Sequence, residues 1–347
     1  MKDYLVQKAF SITHASEISA ARRHCQQAAA LLGFDETESG KAAIIVTEAA
    51  TNMLKHAGDG LILLTAVRRD KMNGIEVLAL DHGPGIANLD QSLRDGTSTT
   101  GTAGTGLGAM RRLAHEFDAY SAPGKGTALF LCIWSGLAPD NISGARAILP
   151  DVGGHLRCGT VCLPVAGEEE CGDAWGIVNS AGEATILVVD GLGHGPNAAQ
   201  ASHAAVQVLH SRSGLRPAPL IEAMHQALRT TRGAAAAVAK LDSSTETVSF
   251  AGIGNISASI LDGDARKQLV SHNGIVGHNL RKVQEFATPW PAGATCILCS
   301  DGIGTQWDLN NYPGLRHCHP ALIAGVLYRD FARSRDDATV VVAKRLS

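Results

Sequence analysis

Three acidic sites, Asp190, Asp301 and Asp336/Asp337, stand where a predicted strand meets a turn, and Asp173 joins them. Asp190 follows Thr185–Val189, five apolar or β-branched residues that read as a short buried strand. Gly191 and the run Gly193-His194-Gly195 come next. A carboxylate at the end of a core strand is aimed rigidly, and a hard divalent cation, which takes oxygen ligands, needs that placement. Glycine beside it lets backbone carbonyls approach the same point, although Asp-Gly is also a common turn pair. Asp301 precedes Gly302 after the apolar run Cys296–Cys299, Asp336-Asp337 leads into the strand Val340–Ala343, and Asp173 follows Cys171-Gly172. Taken singly, each is a turn or cap residue. Together they have the chemistry to hold two cations ~3.5–4 Å apart with a shared water as nucleophile.

A second set lies in the first third of the chain. Glu48 and Asn52 are four residues apart on a helix predicted from about Thr37 to His56, so they share one face, with Lys55 and His56 close to it. The rest of that helix is mostly apolar, so these polar groups sit against the core unless they face a ligand. The strand Ile75–Leu80 ends in Asp81-His82-Gly83-Pro84-Gly85. A Gly/Ser/Thr-rich segment, Arg94–Thr105, leads to Gly104-Thr105-Gly106-Leu107-Gly108 and a helix through Met110 and Leu113. Backbone N–H groups of a glycine loop that opens a helix cradle anionic oxygens. Gly124-Lys125-Gly126-Thr127 then forms a turn inside a strand region, Ser121–Trp134.

The elements that must position these residues fall into two groups. The chain's 347 residues suffice for two domains of the usual ~100–200 residues. The expected division is residues 1–136, a linker at 137–146 rich in Gly, Pro and Asn, and a second domain at 147–347. In the first, a strand near 4–13 and a helix carrying Ile18, Ala21, Cys25, Ala28 and Leu32 precede the Glu48 helix; a mixed sheet with helices on one face is expected. In the second, strands are expected near 147–150, 160–165, 234–241 and 247–251, with helices at 197–210 and 217–231. Ser257–Leu261 is expected to pair with Thr247–Ala251 across Gly252-Ile253-Gly254-Asn255. The expected result is a two-sheet sandwich flanked by helices.

Composition narrows the function classes. A net charge of −3 points to no nucleic-acid surface. No run of 18 apolar residues predicts a membrane span, and the start, MKDYLVQKAFSITH, lacks a signal-peptide core. The eight scattered cysteines read as reduced cytoplasmic thiols. Cys296 and Cys299 fall on opposite faces of a strand and read as core residues, and His317-Cys318-His319 has no matching second pair for a zinc site.

The first set, in its order and spacing, resembles the gyrase/histidine-kinase-type (Bergerat) ATP-binding fold. The resemblance implies that Glu48 is a polarising base, Asn52 a magnesium ligand, and Asp81 the partner of the adenine amino group. It also implies that Gly104, Gly106 and Gly108 cover the phosphates, that Thr127 lies near the adenine, and that His56, Gly83 and Gly85 line the nucleotide. Only some 40 residues precede the Glu48 helix, and neither His14 nor His24 has the helical-hairpin context of a phospho-accepting histidine. The compact form, with TEAATNMLKHAG and RRLAHEFDAYSAPGKGT, is similar to the anti-sigma/switch-protein serine kinases of the RsbT type, which phosphorylate Ser or Thr on a small STAS-domain protein.

The second set, G-D-x-W, D-G-L-G-H-G, G-x-G-N, S-D-G and D-D-A-T, resembles the metal-dependent (PPM) Ser/Thr phosphatases of the SpoIIE-like branch, RsbX-like in size. It implies that Asp190 bridges two metals with the Gly191 carbonyl beside it, that Asp301 and Asp336 (in preference to Asp337) are further ligands, and that Asp173 acts through water. Asn255 and a proton-donating His194 are weaker candidates. The fold class is thus α/β (α+β): a Bergerat-type ATP-binding α/β sandwich followed by a PPM-type α-β-β-α sandwich.

The expected function is a cytoplasmic, bifunctional partner-switching regulator using ATP with Mg2+ or Mn2+: a kinase of a STAS-domain protein joined to a phosphoserine/phosphothreonine phosphatase. Further partners would be a sigma factor or a downstream effector, with no nucleic acid and no membrane. The alternative is a non-catalytic ATP sensor, or a sigma-factor-sequestering module, attached to an active phosphatase.

Overall fold

The computed structural model describes residues 7–69, 71–93, 106–137, 156–180 and 182–345. The expected lid at 94–105, which includes Gly104, the linker beyond Leu137 and the strand expected near 147–150 lie outside the described residues. The chain forms two compact units. One is Met1–Pro150 together with Asp308–Arg329, and the other is Asp151–Trp307 together with Asp330–Ser347.

The first unit runs β1 (Lys8–Ile12), α1 (Ala15–Leu31), α2 (Glu36–His56), β2 (Gly60–Arg69), β3 (Met72–Leu80), a one-turn α3 (Leu89–Ser92), α4 (Gly106–Leu113), β4 (Glu116–Ser121) and β5 (Thr127–Leu137). The N-terminus of α2 is capped by Asp35, whose carboxylate accepts from the Glu38 N–H at 2.7 Å. Lys55 and His56 occupy its last turn, where the helix dipole favours them. Its apolar stripe, Ala42, Ile45, Val46, Ala49 and Met53, packs with Ala21, Cys25 and Ala28 of α1 on Ile75, Val77, Ala79, Leu129 and Leu131 of the sheet.

The sheet order is β1-β2-β3-β5-β4. Every pairing is antiparallel, so the sheet is not the mixed one expected. The reason is the path of the chain: β5 inserts between β3 and β4, which run the same way, and so no two parallel strands become neighbours. Strand β2 is not among the elements anticipated above. Its run Leu61–Leu64 is apolar without a break and reads equally as helix or strand.

The helices are not confined to one face either. Leu63, Leu78, Leu80 and Phe130 point away from α1 and α2 and are all buried. Their cover includes α7 (Pro320–Phe331), part of the 308–329 segment that groups with this unit. A Cβ on Gly325 would stand 2.7 Å from Leu78 Cδ2 and 2.9 Å from Leu80 Cδ2, and the His319 ring stacks on Phe130 at 3.8 Å. The strand sequences carried this signal, since near-continuous apolar runs mean a sheet covered on both sides.

The second unit contains β6 (Leu156–Leu163), β7 (Asp173–Ser180), β8 (Glu183–Gly191), α5 (Pro196–Ser211), α6 (Pro217–Ala227), β9 (Ala234–Asp242), β10 (Thr247–Ile253), β11 (Ser257–Asp262), β12 (Ala265–Leu269), β13 (Phe286–Pro289), β14 (Thr295–Cys299) and β15 (Ala338–Arg345). Two five-stranded sheets form, β13-β10-β9-β8-β7 and β12-β11-β14-β15-β6. Their facing sides share one core, with Ile186, Val188, Phe250 and Trp290 against Ile260, Leu298 and Val341. The outer side of the first sheet, Leu187, Val189 and Val238, is covered by Ala201, Ala205 and Leu209 of α5 and Leu220 and Met224 of α6. The expected hairpin between Thr247–Ala251 and Ser257–Leu261 does not exist. β10 pairs with β9 and β13, while β11 pairs with β12 and β14. The link from Gly254 to Ile256 carries the chain from one sheet to the other, which is how a sandwich joins its layers. Cys296 lies in the shared core and Cys299 is buried on the opposite side of β14. No helix of the described residues is long and apolar enough to cross a membrane.

One row of the first sheet is polar where its neighbours are apolar. Thr65, Glu76, Cys132 and Glu116 stand side by side in register. Arg69 bonds Glu116 at 2.7 Å, as does the Trp134 indole at 2.8 Å. Burial, then the Glu116 charge, pushes the Glu76 carboxyl up to about 8, with Arg69 offsetting part of the rise. The folded chain therefore holds a proton that the unfolded chain releases near pH 4.5, and stability falls as pH rises through the window between 4.5 and about 8. Glu76→Gln removes that loss. It is expected to raise the melting temperature at pH 8 by about 5 °C, with the gain shrinking towards pH 5, as thermal unfolding at both pH values will measure.

Candidate nucleotide and metal sites

In the first unit the predicted site residues gather at the C-terminal ends of α2 and β3. Glu48 and Asn52 are partly buried on α2, and His56 is exposed at its last turn. Gly106 opens α4 directly over Asn52, since a Cβ there would lie 3.1 Å from Asn52 Nδ2. Gly108, two residues on, is buried. The N–H groups at the start of α4 are the ones able to receive a phosphate.

Asp81 is fixed by the loops around it. Its Oδ1 accepts from the Gly83 N–H at 2.8 Å and the Thr127 N–H at 3.0 Å, and its own N–H donates to the Thr127 carbonyl. Both bonds fall on one oxygen, which leaves Oδ2 to take a ligand donor. Gly83 abuts Ala57 at the end of α2, and Gly85 lies against the Ala122 carbonyl. Gly126, with φ +68°, cannot carry a side chain, because its Cβ would fall 2.0 Å from the Asp81 carbonyl oxygen. The Thr127 hydroxyl meets Ser121 Oγ at 2.9 Å, and Ser121 Oγ also accepts from the Ile86 N–H. The D-x-G-x-G turn and the G-K-G-T turn are thus one interlocked corner. Its composition fits an adenine edge: one aimed carboxylate oxygen beside partly buried backbone.

In the second unit Asp173 and Asp190 are direct cross-strand partners on β7 and β8. Two like charges so placed, with Cβ atoms about 4.5–5.5 Å apart, destabilise a sheet. From the other sheet come Asp301, just beyond β14, and Asp336-Asp337, just ahead of β15. Ser300 and Thr339 bind these two strand ends together, the Ser300 N–H donating to the Thr339 carbonyl and the Thr339 N–H to Ser300 Oγ. Burial and the charges of Asp173, Asp301, Asp336 and Asp337 push the Asp190 carboxyl up to about 8. Burial, with Asp337 and Asp336, lifts Asp173 to about 7. Asp301 is raised by burial and by Asp336.

The donor set fits divalent cations. Asp173 Oδ2 is buried with no hydrogen-bond partner. Gly191 is hemmed by carbonyls, its Cβ position lying 2.2 Å from the Ala198 oxygen and 2.9 Å from the Gly172 oxygen. A cation is the group that relieves such crowding of carboxylates and carbonyls. Among the described residues no three or more His, Cys, Asp or Glu stand close enough together to hold a metal ion as they are placed.

The acids divide their work. Asp337 spends both oxygens on structure, accepting from the Val165 N–H at 2.7 Å and the Gly172 N–H at 2.9 Å. Asp336 accepts from the Asp337 N–H and also meets the Asp301 carboxyl, so it faces the other acids rather than the backbone. Asn255 donates to Asp301 Oδ2 at 2.5 Å, a role its rank in the sequence understated. His194 pairs with Glu168 at 2.6 Å, a partner that nothing in the local sequence signals. His319, set between Phe130 and the Asp118 carboxylate that accepts its N–H, is a packing residue.

Residues 12–133 match the Histidine kinase-like ATPase domain family, and residues 180–346 match the Stage II sporulation protein E (SpoIIE) family. The serine/threonine-protein kinase RsbT of Bacillus subtilis (strain 168) is 34% identical over 118 residues, which are 34% of this chain and 89% of RsbT. A solved structure from the bacterial stressosome, described as a modular system adapted to control secondary messenger signalling, is 28% identical with a TM-score of 0.52. That match covers 55% of this chain and 100% of the other. The crystal structure of RsbX with magnesium is 22% identical with a TM-score of 0.48, over 55% of this chain and 96% of RsbX. The chain belongs to the RsbT family of serine/threonine-protein kinases through its N-terminal ATPase-type domain, and it carries a SpoIIE-type PPM phosphatase domain in its C-terminal half.

Proposed function

We propose that the chain both adds and removes phosphate in a partner-switching pathway, phosphorylating Ser or Thr on a STAS-domain protein with one unit and hydrolysing phosphoserine or phosphothreonine with the other. The observation that carries this reading is the acidic end of the second unit, where Asp173, Asp190, Asp301 and Asp336 arrive from two sheets, on a chain whose first unit is of the RsbT type.

In the phosphatase unit Asp190, the cross-strand partner of Asp173 and within the field of the Asp301 and Asp336 charges, would be the central carboxylate holding the cations. Asp301, oriented by Asn255, and Asp336 complete the set, with the Gly191 carbonyl beside them. Divalent cations, Mg2+ or Mn2+, supply charge neutralisation at the phosphoryl oxygens and a nucleophile at neutral pH when bound there. In the kinase unit Asp81 Oδ2 accepts from the adenine amino group, and the start of α4 at Gly106 and Gly108 receives the phosphates. Asn52 faces that start and would hold the accompanying cation. Glu48, one turn earlier on the same helix face, takes the proton of the substrate hydroxyl as transfer proceeds.

Two variants separate the arms. Asp190→Ala is expected to lower metal-dependent hydrolysis of a phosphorylated STAS-domain protein by about 10³-fold or more. Given radiolabelled ATP, magnesium and the unphosphorylated partner, that variant should accumulate acid-stable label, which wild-type protein with Mn2+ then removes. If no label appears although ATP binds, the kinase assignment fails and the first unit is a sensor or binding module. Glu48→Ala is expected to cut transfer by about 10²–10⁴-fold while ATP affinity, measured by calorimetry, stays within about twofold of wild type.

A further inference from the structure

We infer that Arg232 receives the phosphoryl group of the substrate in the second unit, its guanidinium taking the non-bridging oxygens of a phosphate monoester dianion beside the loop from Asp190 to Gly195. The inference rests on the phosphatase reading proposed above and deepens it, because that reading names groups for the metal side of the reaction and none for the anion.

The need for such a group follows from charge. Asp173, Asp190, Asp301 and Asp336 stand at this end of the sandwich, and a phosphate dianion brought towards carboxylates is repelled. Part of that repulsion is offset where divalent cations bind. The oxygens still need a donor that orients them, and a planar guanidinium meets them two at a time. The basic side chains here are not equally available for that task. His194 is drawn to Glu168, with Nδ1 2.6 Å from Oε1. Glu168 also fills the space beside Gly195, its Oε2 lying 2.9 Å from where a Cβ would stand. Arg333 already faces Asp301, where it opposes the upward push that burial and Asp336 give the carboxyl. Arg232 has no such engagement. It is exposed, and among the described residues it makes no hydrogen bond, ion pair or ring contact.

The backbone fixes Arg232 from both sides. The Thr231 hydroxyl donates to the Leu228 carbonyl at 2.8 Å and accepts from the Gly233 N–H at 3.1 Å, while His278 Nε2 donates to the Thr231 carbonyl at 3.0 Å. Gly233, at φ +79°, sits where a Cβ would fall 2.6 Å from His278 Cδ2 and 2.8 Å from the Val276 oxygen. Its carbonyl accepts the Leu192 N–H at 3.0 Å, which sets this turn against the loop that leaves Asp190. Arg232 Nη1 thereby comes to 3.1 Å from the Cβ position of Gly193. Gly193 has φ +85° and no side chain, so the guanidinium lies against the loop backbone three residues beyond Asp190. The Gly193 carbonyl in turn lies 3.2 Å from the Cβ position of Gly172, the residue before Asp173. A fixed backbone, an unengaged guanidinium and a glycine at the point of contact together make a seat for an anion beside the carboxylates.

The test uses the full chain. Hydrolysis of p-nitrophenyl phosphate at saturating MnCl2 gives kcat/KM, inhibition by orthophosphate gives the Ki of the product anion, and a separate titration at buffered free metal gives the half-saturating Mn2+. Arg232→Ala is expected to lower kcat/KM and to raise the orthophosphate Ki together, each by about 10–100-fold, with half-saturating Mn2+ within about twofold of wild type. Arg232→Lys, which keeps the charge without the fork, is expected to fall between wild type and the alanine variant, and it carries the test if the alanine variant fails to fold. An orthophosphate Ki unchanged in both variants overturns the inference. So does a change in half-saturating Mn2+ as large as the change in Ki, because the arginine would then act on the metal ligands and not on the anion. In both of those cases wild-type turnover leaves the phosphatase reading standing. If wild type shows no Mn2+-dependent turnover at all, the phosphatase reading fails and takes the inference with it.

Discussion

Four carboxylates brought to one end of a desolvated sandwich repel one another, and that repulsion sets the terms for the second unit. Asp173 and Asp190 face each other across neighbouring strands, and Asp301 and Asp336 close on them from the opposite sheet. Such an arrangement persists only if the strand ends cannot yield. The sheets supply that stiffness through long antiparallel ladders on both sides, the Ser300–Thr339 exchange between β14 and β15, and Asp337, which ties Val165 and Gly172 to the same end. Crowded charge of this kind is relieved by protonation or by a bound cation, which is the physical basis of the metal reading proposed above. The same reasoning explains why Asp337 is no spare ligand: its charge is already satisfied by two N–H groups.

The nucleotide corner solves a different problem with similar means. One carboxylate oxygen must be held still while the other stays available. Two backbone donors from separate turns do this, and Gly126 is required because the second turn must approach the Asp81 carbonyl at a distance no side chain permits. Precision at Asp81 thus comes from loop interlock, where precision at Asp190 comes from strand pairing.

Much of this was legible in the sequence. The acids announce themselves because each stands beside glycine or at the mouth of an apolar run, and the Glu48–Asn52 spacing places both on one helix face. What remained hidden depends on contacts distant in sequence. The preference for Asp336 over Asp337 came from the family resemblance; the physical reason for it, the bonds of Asp337 to Val165 and Gly172, lies in another part of the chain. Arg329 reads as an ordinary basic residue in a last helical turn, and nothing local signals that its Nη1 donates to the Asp81 carbonyl at 2.8 Å. The supposed β10–β11 hairpin failed because adjacency and a glycine-rich link suit a hairpin and a crossing between sheets equally well. The mixed sheet failed because strand order is decided by where β5 inserts, which no local pattern records.

The discontinuity of the first unit bears on how the protein is made. Its sheet is complete in sequence at Leu137, yet Leu78, Leu80 and Phe130 receive His319 and Gly325 only from a segment near the other end of the chain. At ~5–20 residues per second, some ten to thirty seconds of synthesis separate the two. During that interval the nascent sheet offers an apolar face to the ribosome exit, to chaperones and to other nascent chains. A gene fragment ending at the apparent domain boundary would make that exposure permanent. The first unit therefore depends, for the cover of that face, on a segment made only after most of the second unit.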